Sequence, residues 1–252
     1  MHLIDTHSHL GHIPKKDRKA VIEQANKAGI SKLISVSCKL DEVEGNLAIV
    51  KEFENIWATV GIHPTELTEL EDLEKVKEIA SKEDRIVAIG EIGIDYYHDR
   101  FPHDLQAEFF RKQLGIANEL GLPAIIHCRG GKNPGENEKA FIDLIKILEE
   151  VQFSNGVVHC FSGNQVEADK IMDLGLMISF TNIISYGSNE ELREVIKSIP
   201  LPRIMLETDS PYISKEPTDV IKIAKKISEI QGVPYEEVVK ITTENAERFF
   251  GI

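Results

Sequence analysis

Two histidines one residue apart, His7 and His9, close the short apolar run IDTHSHL. On an extended strand residues i and i+2 project to the same side, so imidazoles at this spacing can grip one cation between them. Imidazole is a common metal ligand and an equally common hydrogen-bonding group, so the pair gains meaning only if the chain supplies further ligands. It does. IIHCR offers His127, VVHCF offers His159, GEIGID offers Glu91, LETDSP offers Asp209 and GIHP adds His63. Each has an ordinary reading on its own: His63 before Pro64 can close a turn, Glu91 and Asp209 can be ion-pair partners, and Asp209 before Ser210-Pro211 can begin a turn or helix. Gathered in one low-dielectric place, however, these groups repel or stay unsatisfied unless cations join them.

Histidine and carboxylate without thiolate suit Zn2+, Mn2+, Fe2+, Co2+ or Ni2+, and Mg2+ less readily because of the imidazoles. Metal identity stays open among these. Six candidates, His7, His9, Glu91, His127, His159 and Asp209, exceed the needs of one tetrahedral zinc. Two cations about 3.5–4 Å apart, bridged by a carboxylate and a water, would use them all. Two divalent ions per chain is therefore the expectation.

Something must bring these residues together, and the sequence repeats one theme: a β-branched run, a polar or Gly-containing break, then an amphipathic stretch. The runs are HLIDTH, KLISVSC, IWATVGI, IVAIGEIGID, PAIIHC, GVVHCF, LMISFT and RIMLETD. Helices are expected near 15–28, 41–54, 67–81, 103–120, 136–150, 164–174, 189–198 and 217–231, with a terminal one near 235–249. Gly29, Gly121 and Gly175 follow helices, and Pro123 and Pro202 precede strands. Continuous apolar strands alternating with helices imply a parallel sheet covered on its outer face. Eight units in 252 residues favour an α/β fold of the (β/α)8 TIM-barrel type, forming a single domain over 1–252. An open doubly wound sheet stays the alternative, although no G-x-G-x-x-G follows the first run. In a barrel the C-terminal strand ends build the site, and that is where the candidate ligands fall. His127 and His159 are each followed by a cysteine, so if the imidazoles enter the mouth, Cys128 and Cys160 should pack under the helices.

Composition narrows the partners. With 29 basic against 42 acidic residues the formal charge is -13, which opposes long-range attraction to nucleic acid or anionic membrane, so a nucleic-acid substrate needs local help from cations or a small basic patch. Three widely spaced cysteines, Cys38, Cys128 and Cys160, without Cys-x-x-Cys make a disulfide framework unexpected and suit a reducing cytoplasm. No apolar run approaches the ~20 residues of a membrane span and no charged segment precedes an apolar one, so neither membrane insertion nor secretion is expected. KKDRK at 15–19 reads as a solvated helix face, and Phe110, Leu114 and Ala117 as core. Tyr96 and Tyr97 follow the fourth run and can either stack on a base or fill the rim.

Taken together, DTHSHL, GIHP, GEIGIDYY, QAEFFRKQLGIANELGLPAIIHCR, VVHCFSG and LETDSPY resemble, in order and spacing, the motifs of the TatD family of metal-dependent deoxyribonucleases. The match runs from about residue 3 to residue 213, with an echo in ENAERFF. The resemblance implies a barrel of the amidohydrolase-like superfamily with a two-metal site that hydrolyses phosphodiester bonds in DNA, often from the 3′ end. DNA ends or short single-stranded DNA would be the substrate. Carried onto this chain, His7, His9 and Asp209 would hold one ion, His127 and His159 the other, and Glu91 would bridge them. His63 matches a family histidine near the substrate phosphate. Two stretches depart from the family: SKEPTD replaces a longer Pro- and Arg-containing loop after DSPYI, and GGKNPGENEK follows HCR where many members carry an acidic residue and an alanine. In the expected mechanism metal-activated water attacks phosphorus, Asp209 takes or orients its proton, and His63 with Arg129 or Lys132 steadies the phosphate. Two other classes fit the same ligands: a small-molecule amidohydrolase such as a lactonase, esterase or amidase, and a non-catalytic metal-binding interaction protein. Glu91, in place of the carboxylated lysine many amidohydrolases use, favours the nuclease.

Overall fold

Strand β4 (Ile86–Asp95) is buried at all ten positions, as expected of a strand covered on both faces. Its neighbours repeat the pattern in a computed structural model that describes residues 2–133 and 135–252. They are β1 (Leu3–Ser8), β2 (Ile30–Ser35), β3 (Ile56–Val60), β5 (Ala124–Arg129), β6 (Gly156–Val158), β7 (Met177–Phe180) and β8 (Ile204–Leu206). All pair in parallel in the order β1 to β8. Between them run α1 (Lys15–Lys27), α2 (Leu40–Glu52), α3 (Asp72–Lys82), α4 (His103–Leu120), α5 (Glu136–Val151), α6 (Gln165–Asp173), α7 (Glu190–Ser198) and α8 (Val220–Gln231), with α9 (Tyr235–Phe250) last. This is the (β/α)8 barrel that the alternation implies.

The sheet closes on itself through side chains and strand ends. Thr6 donates its hydroxyl to Leu206 O at 3.0 Å, and Thr208 donates its N–H and hydroxyl to the Asp5 carboxyl at 2.8 and 2.6 Å. Higher on the same seam Asp209 N–H donates to His7 O at 2.8 Å and His9 N–H to Ser210 O at 2.7 Å. The last two bonds belong to candidate ligands.

Two apolar layers hold the barrel. Phe109, Phe110, Phe141, Phe153, Phe161 and Phe180 are fully buried in the large cluster between strands and helices. Each such ring contributes about 2–3 kcal/mol of transfer free energy. A second cluster joins Ile4, Ile34, Ile125, Val157, Met177 and Met205 with Ala246 and Phe250 of α9. Residues from six strands can meet only inside the barrel, so this is its interior layer, with α9 packed against it. Two positions beyond Ile125, Val157 and Met205 stand His127, His159 and Glu207. Strand alternation thus carries the interior direction up from apolar layer to polar mouth.

Some boundaries shift. α3 begins at Asp72, not near 67, because the chain first crosses the mouth in a turn where Thr65 N–H donates to His63 Nδ1 at 3.1 Å. A 3-10 turn, Pro217–Asp219, precedes α8, with proline in its first turn. Cys128 packs in the outer core as expected, but Cys160 does not. β6 ends at Val158, and Cys160 sits beyond it at φ 45°, half-buried at the cavity wall, so strand alternation no longer governs it. Its N–H is drawn to Glu207 Oε1 at 2.6 Å, which turns the chain out of the sheet.

Candidate metal centre

The carboxylate of Glu91 lies at the middle of the mouth, and its two oxygens face different imidazole pairs. Oε1 is 2.9 Å from His127 Nδ1 and 2.8 Å from His159 Nε2. Oε2 is 3.4 Å from His7 Nε2 and 4.0 Å from His9 Nε2. Asp209 Oδ1 completes the second group, 3.2 Å from His9 Nε2 and 3.9 Å from His7 Nε2. Within each pair the ring nitrogens approach closely, at 3.2 Å for His7 and His9 and 3.4 Å for His127 and His159. Two nitrogens can share at most one proton at such a contact, so lone pairs converge that have no partner of their own unless a cation supplies it. Donor type and convergence therefore fit divalent cations: His7–His9–Glu91 and Glu91–His127–His159 each bring three ligand atoms within 4.8 Å of one another.

Backbone geometry fixes these groups. Glu91 N–H donates to Ser37 O at 2.9 Å. Gly93, at φ 142°, has no alternative, since a Cβ there would stand 2.0 Å from His127 O. Asp209 adopts φ 49°, a conformation uncommon outside glycine and often found where a site dictates it.

Electrostatics follow from the crowding. Burial alone would raise the Glu91 pKa, but the charges of His159 and His63 and hydrogen bonds from His127 and His159 hold it well below the usual carboxylate range. Burial likewise works against charged His159, yet Glu91 and Glu207 keep that imidazole well above its ordinary value. His9 is raised against burial by Asp209, and His127 against burial by Asp95 and Glu91. His7 and His63 are lowered, both chiefly by burial. Protons and divalent cations compete for these nitrogens, so cation binding releases protons.

Similarity to known proteins agrees with this site. Residues 4–251 match the family described as TatD related DNase. The chain belongs to this family. A metal-dependent hydrolase of Bacillus subtilis, YabD, itself uncharacterised, is 34% identical over 99% of both chains. A Rahnella protein named as the 3'-5' ssDNA/RNA exonuclease TatD is 32% identical, over 94% of this chain and 93% of that one. The crystal structure of the TatD homologue YJJV from Escherichia coli superposes with a TM-score of 0.90 at 26% identity, covering 99% of this chain and 98% of that one. Like its TatD relatives, then, the chain is a metal-dependent hydrolase built on a (β/α)8 barrel.

Around the candidate ligands this TatD family member opens a cavity of about 890 Å3. His63 lines it, with Nε2 3.5 Å from Glu91 Oε1, and so does Arg129; Lys132 lies in an adjoining recess. The nine candidate residues thus share one end of the barrel.

The structure adds several residues to the site that sequence reasoning missed. Asp95 Oδ2 lies 3.0 Å from His127 Nε2, on the side of the ring away from Glu91. Glu207 Oε1 stands 3.4 Å from His159 Nδ1. Both are carboxylates placed behind a histidine; Asp95 hydrogen-bonds its ring and so sets orientation and tautomer, whereas Glu207 lies near His159 without a hydrogen bond to it. The signal for Asp95 was present: it follows Glu91 by four in one strand and therefore shares its side. Buried Gln106 and Gln113, seven apart on one face of α4, clamp the main chain at Asp95 and Ile62 by paired amide bonds of 2.8 and 3.0 Å. At the rim, Tyr212 Oη is 2.6 Å from His12 Nδ1, and His12 Nε2 is 2.9 Å from Glu42 Oε1. No local pattern links those three positions. Cys38, 3.8 Å from Glu91 Oε2, is a thiol that burial pushes well above its ordinary pKa.

Proposed function

We propose that this chain is a cytoplasmic, two-cation phosphodiesterase that removes nucleotides from the 3′ ends of single-stranded DNA, folding as one domain over 1–252. The division of Glu91 between two imidazole pairs carries this reading, because a carboxylate presenting one oxygen to each of two groups suits a bridge between two ions. Relatives named as 3'-5' ssDNA/RNA exonucleases support the substrate class. Among the described residues no helix is long and apolar enough to cross a membrane, and all three cysteines are free, which suits a reducing compartment.

His7, His9 and Asp209 would hold one ion, His127 and His159 the other, and Glu91 both. Bound there, the cations, of Zn, Mn, Mg, Co or Ni type, would bring the pKa of water towards neutrality and neutralise charge on a phosphoryl oxygen. The chain does the rest. The Asp209 pKa, which burial would raise, is held low by the His9 hydrogen bond, so its carboxylate is ready at neutral pH to accept the proton of the attacking water. His63, kept neutral chiefly by burial, has its Nδ1 engaged with Thr65 and turns Nε2 toward the mouth, where it would donate to a phosphate oxygen. Arg129 and Lys132 supply the positive charge that the chain as a whole lacks.

The test is metal stoichiometry on purified protein together with a substrate panel of 3′-labelled single-stranded DNA, carboxylic esters, lactones and amides. Two ions per chain and stepwise loss of 3′ nucleotides are expected. Turnover of a lactone, ester or amide with none of DNA would replace the nuclease by an amidohydrolase.

A further inference from the structure

We infer that the rim where β4 and β5 end carries a nucleotide-stacking subsite of Tyr97, Arg129 and Lys132, which seats the nucleotide adjoining the cleaved phosphodiester. The inference rests on the nuclease reading above and gives its substrate a path.

Tyr97 is the second residue after β4, and its ring is 37% exposed at the mouth. The Arg129 guanidinium carbon lies 4.0 Å from the ring centroid and Lys132 Nζ 4.9 Å. Two cations are thus held over one aromatic face system, and among the described residues neither has a carboxylate within 4.0 Å. Elsewhere on the surface Arg100, Arg111, Lys77 and Lys82 pair with carboxylates at 2.6–2.9 Å, whereas these two cations share a ring instead. Two like charges held against one ring repel, and the ring quadrupole offsets only part of that repulsion. An anion is what the pair lacks, and a phosphodiester flanked by a planar base fits both the charges and the ring.

Position ties the platform to the centre. Tyr97 N–H donates to Asp95 Oδ1 at 2.9 Å, and the other oxygen of that carboxylate holds His127. The ring is therefore indexed to the same group that orients a candidate ligand. A recess of about 220 Å3 lined by Tyr97, Lys132 and Asn133, with Asp99 and Glu136 also on its walls, meets the main cavity at His98, and Arg129 lines the main cavity itself. A strand with its scissile phosphate at Glu91 would run outward past Arg129 and over Tyr97. In a protein with 42 acidic residues, Arg129 and Lys132 give a polyanion fixed positive charge on this side of the mouth, as Lys39 does elsewhere on the cavity wall.

The test is a cycle between protein and substrate. Mn2+-loaded protein is given single-stranded DNA with a natural base or an abasic residue at the first or second nucleotide from the 3′ end. Base–aromatic stacking predicts that wild type loses about 5- to 100-fold in kcat/KM at one of these abasic positions. Tyr97→Ala should lose a similar factor on natural DNA and nothing more on the abasic strand, while Tyr97→Phe should behave as wild type. Binding of a 5′-fluorescein strand blocked at its terminal linkage by phosphorothioate, read by anisotropy, should show the same pattern without turnover. Equal abasic penalties in wild type and Tyr97→Ala would overturn the subsite and leave the nuclease reading standing. If wild type cleaves none of the strands yet hydrolyses a carboxylic ester, the nuclease reading falls and the subsite with it.

Discussion

Asp95→Asn is a change of one atom, and the surroundings of Asp95 determine which way the new amide must face. Oδ1 accepts N–H bonds from Tyr97 at 2.9 Å and His98 at 2.8 Å, while Oδ2 faces His127 Nε2 at 3.0 Å and His98 Nδ1 at 2.8 Å. An NH2 group in the Oδ1 position would leave two backbone donors without an acceptor, at about 1–3 kcal/mol each. It therefore takes the Oδ2 position and donates to His127 Nε2. The His127 proton must then sit on Nδ1, the nitrogen 2.9 Å from Glu91 and the one that would bind a cation. Restoring the other tautomer in the variant puts two donors face to face. Loss of an orienting partner of this kind costs about 10- to 100-fold in metal affinity, or about 1.4–2.8 kcal/mol. The loss should fall on one ion alone, because His7, His9 and Asp209 do not touch Asp95. Titration calorimetry with Mn2+ or Zn2+ should show one binding event unchanged and one weakened by that factor. The pH dependence adds a signature that general damage would not give. Asp95 helps raise the His127 pKa against burial, so removing its charge moves the pH at which the weakened event appears downward. Two events of wild-type affinity in Asp95→Asn would refute the assignment of His127 Nδ1 as a ligand.

Glu91→Gln replaces one anionic oxygen by a donor, so bound metal should fall from two ions to one or none and turnover on the order of 10²- to 10³-fold, with far-UV circular dichroism unchanged. Two retained ions with full turnover would contradict the bridge. Burial pushes the Asp5 carboxyl up to about 8 from 3.8, so between these values the folded chain keeps a proton that the unfolded chain has released. The stability this proton supplies is complete below the lower value and is lost at about 1.4 kcal/mol per pH unit as pH rises towards the upper one. Urea denaturation of metal-free protein at about pH 6 and about pH 8 should show wild type losing about 2 kcal/mol more than Asp5→Asn; parallel losses would mean that Asp5 is ionised. If Arg129 and Lys132 are the two main phosphate contacts, log K for single-stranded DNA should fall against log[salt] with a slope of about -1.4, and one steeper than about -4 would point to a far more extensive basic track.

Much of this architecture is written in local pattern. The ten-residue apolar run of β4 and the helical period of α4 give the same boundaries in sequence and structure. The candidate ligands are legible because a parallel barrel puts every strand's C-terminal end at one mouth, so His7, Glu91, His127, His159 and Asp209 need only be found at those ends. What escapes is whatever depends on side chains meeting across the barrel or on turns beyond the strands. Cys160 belongs to a turn that Glu207 pulls out of the sheet, and alternation is silent once the strand stops. The start of α3 yields to the loop that carries His63 and Thr65 over the mouth, although residues 67–71 keep a helical composition. The Tyr212–His12–Glu42 chain joins a rim loop, a 3-10 turn and a helix, so tertiary placement alone creates it.

Barrel closure also places one half of the candidate centre in this chain. β8 and β1 are the first and last strands to be joined, separated by nearly the whole sequence, and their seam is held by Asp5 and Thr6 below and by the main chain of His7, His9, Asp209 and Ser210 above. A backbone bond from Asp209 to His7 sets the spacing of those two side chains as directly as it joins the strands. His7 Nε2 and Asp209 Oδ1 can therefore reach their 3.9 Å approach only in the closed barrel. Glu91 and His127 stand on the adjacent strands β4 and β5 and His159 just beyond β6, so they make no demand on the seam. The two halves of the centre thus differ in origin: one is built by neighbouring strands and the other by the strand pair that completes the fold, with Glu91 as the single side chain that faces both.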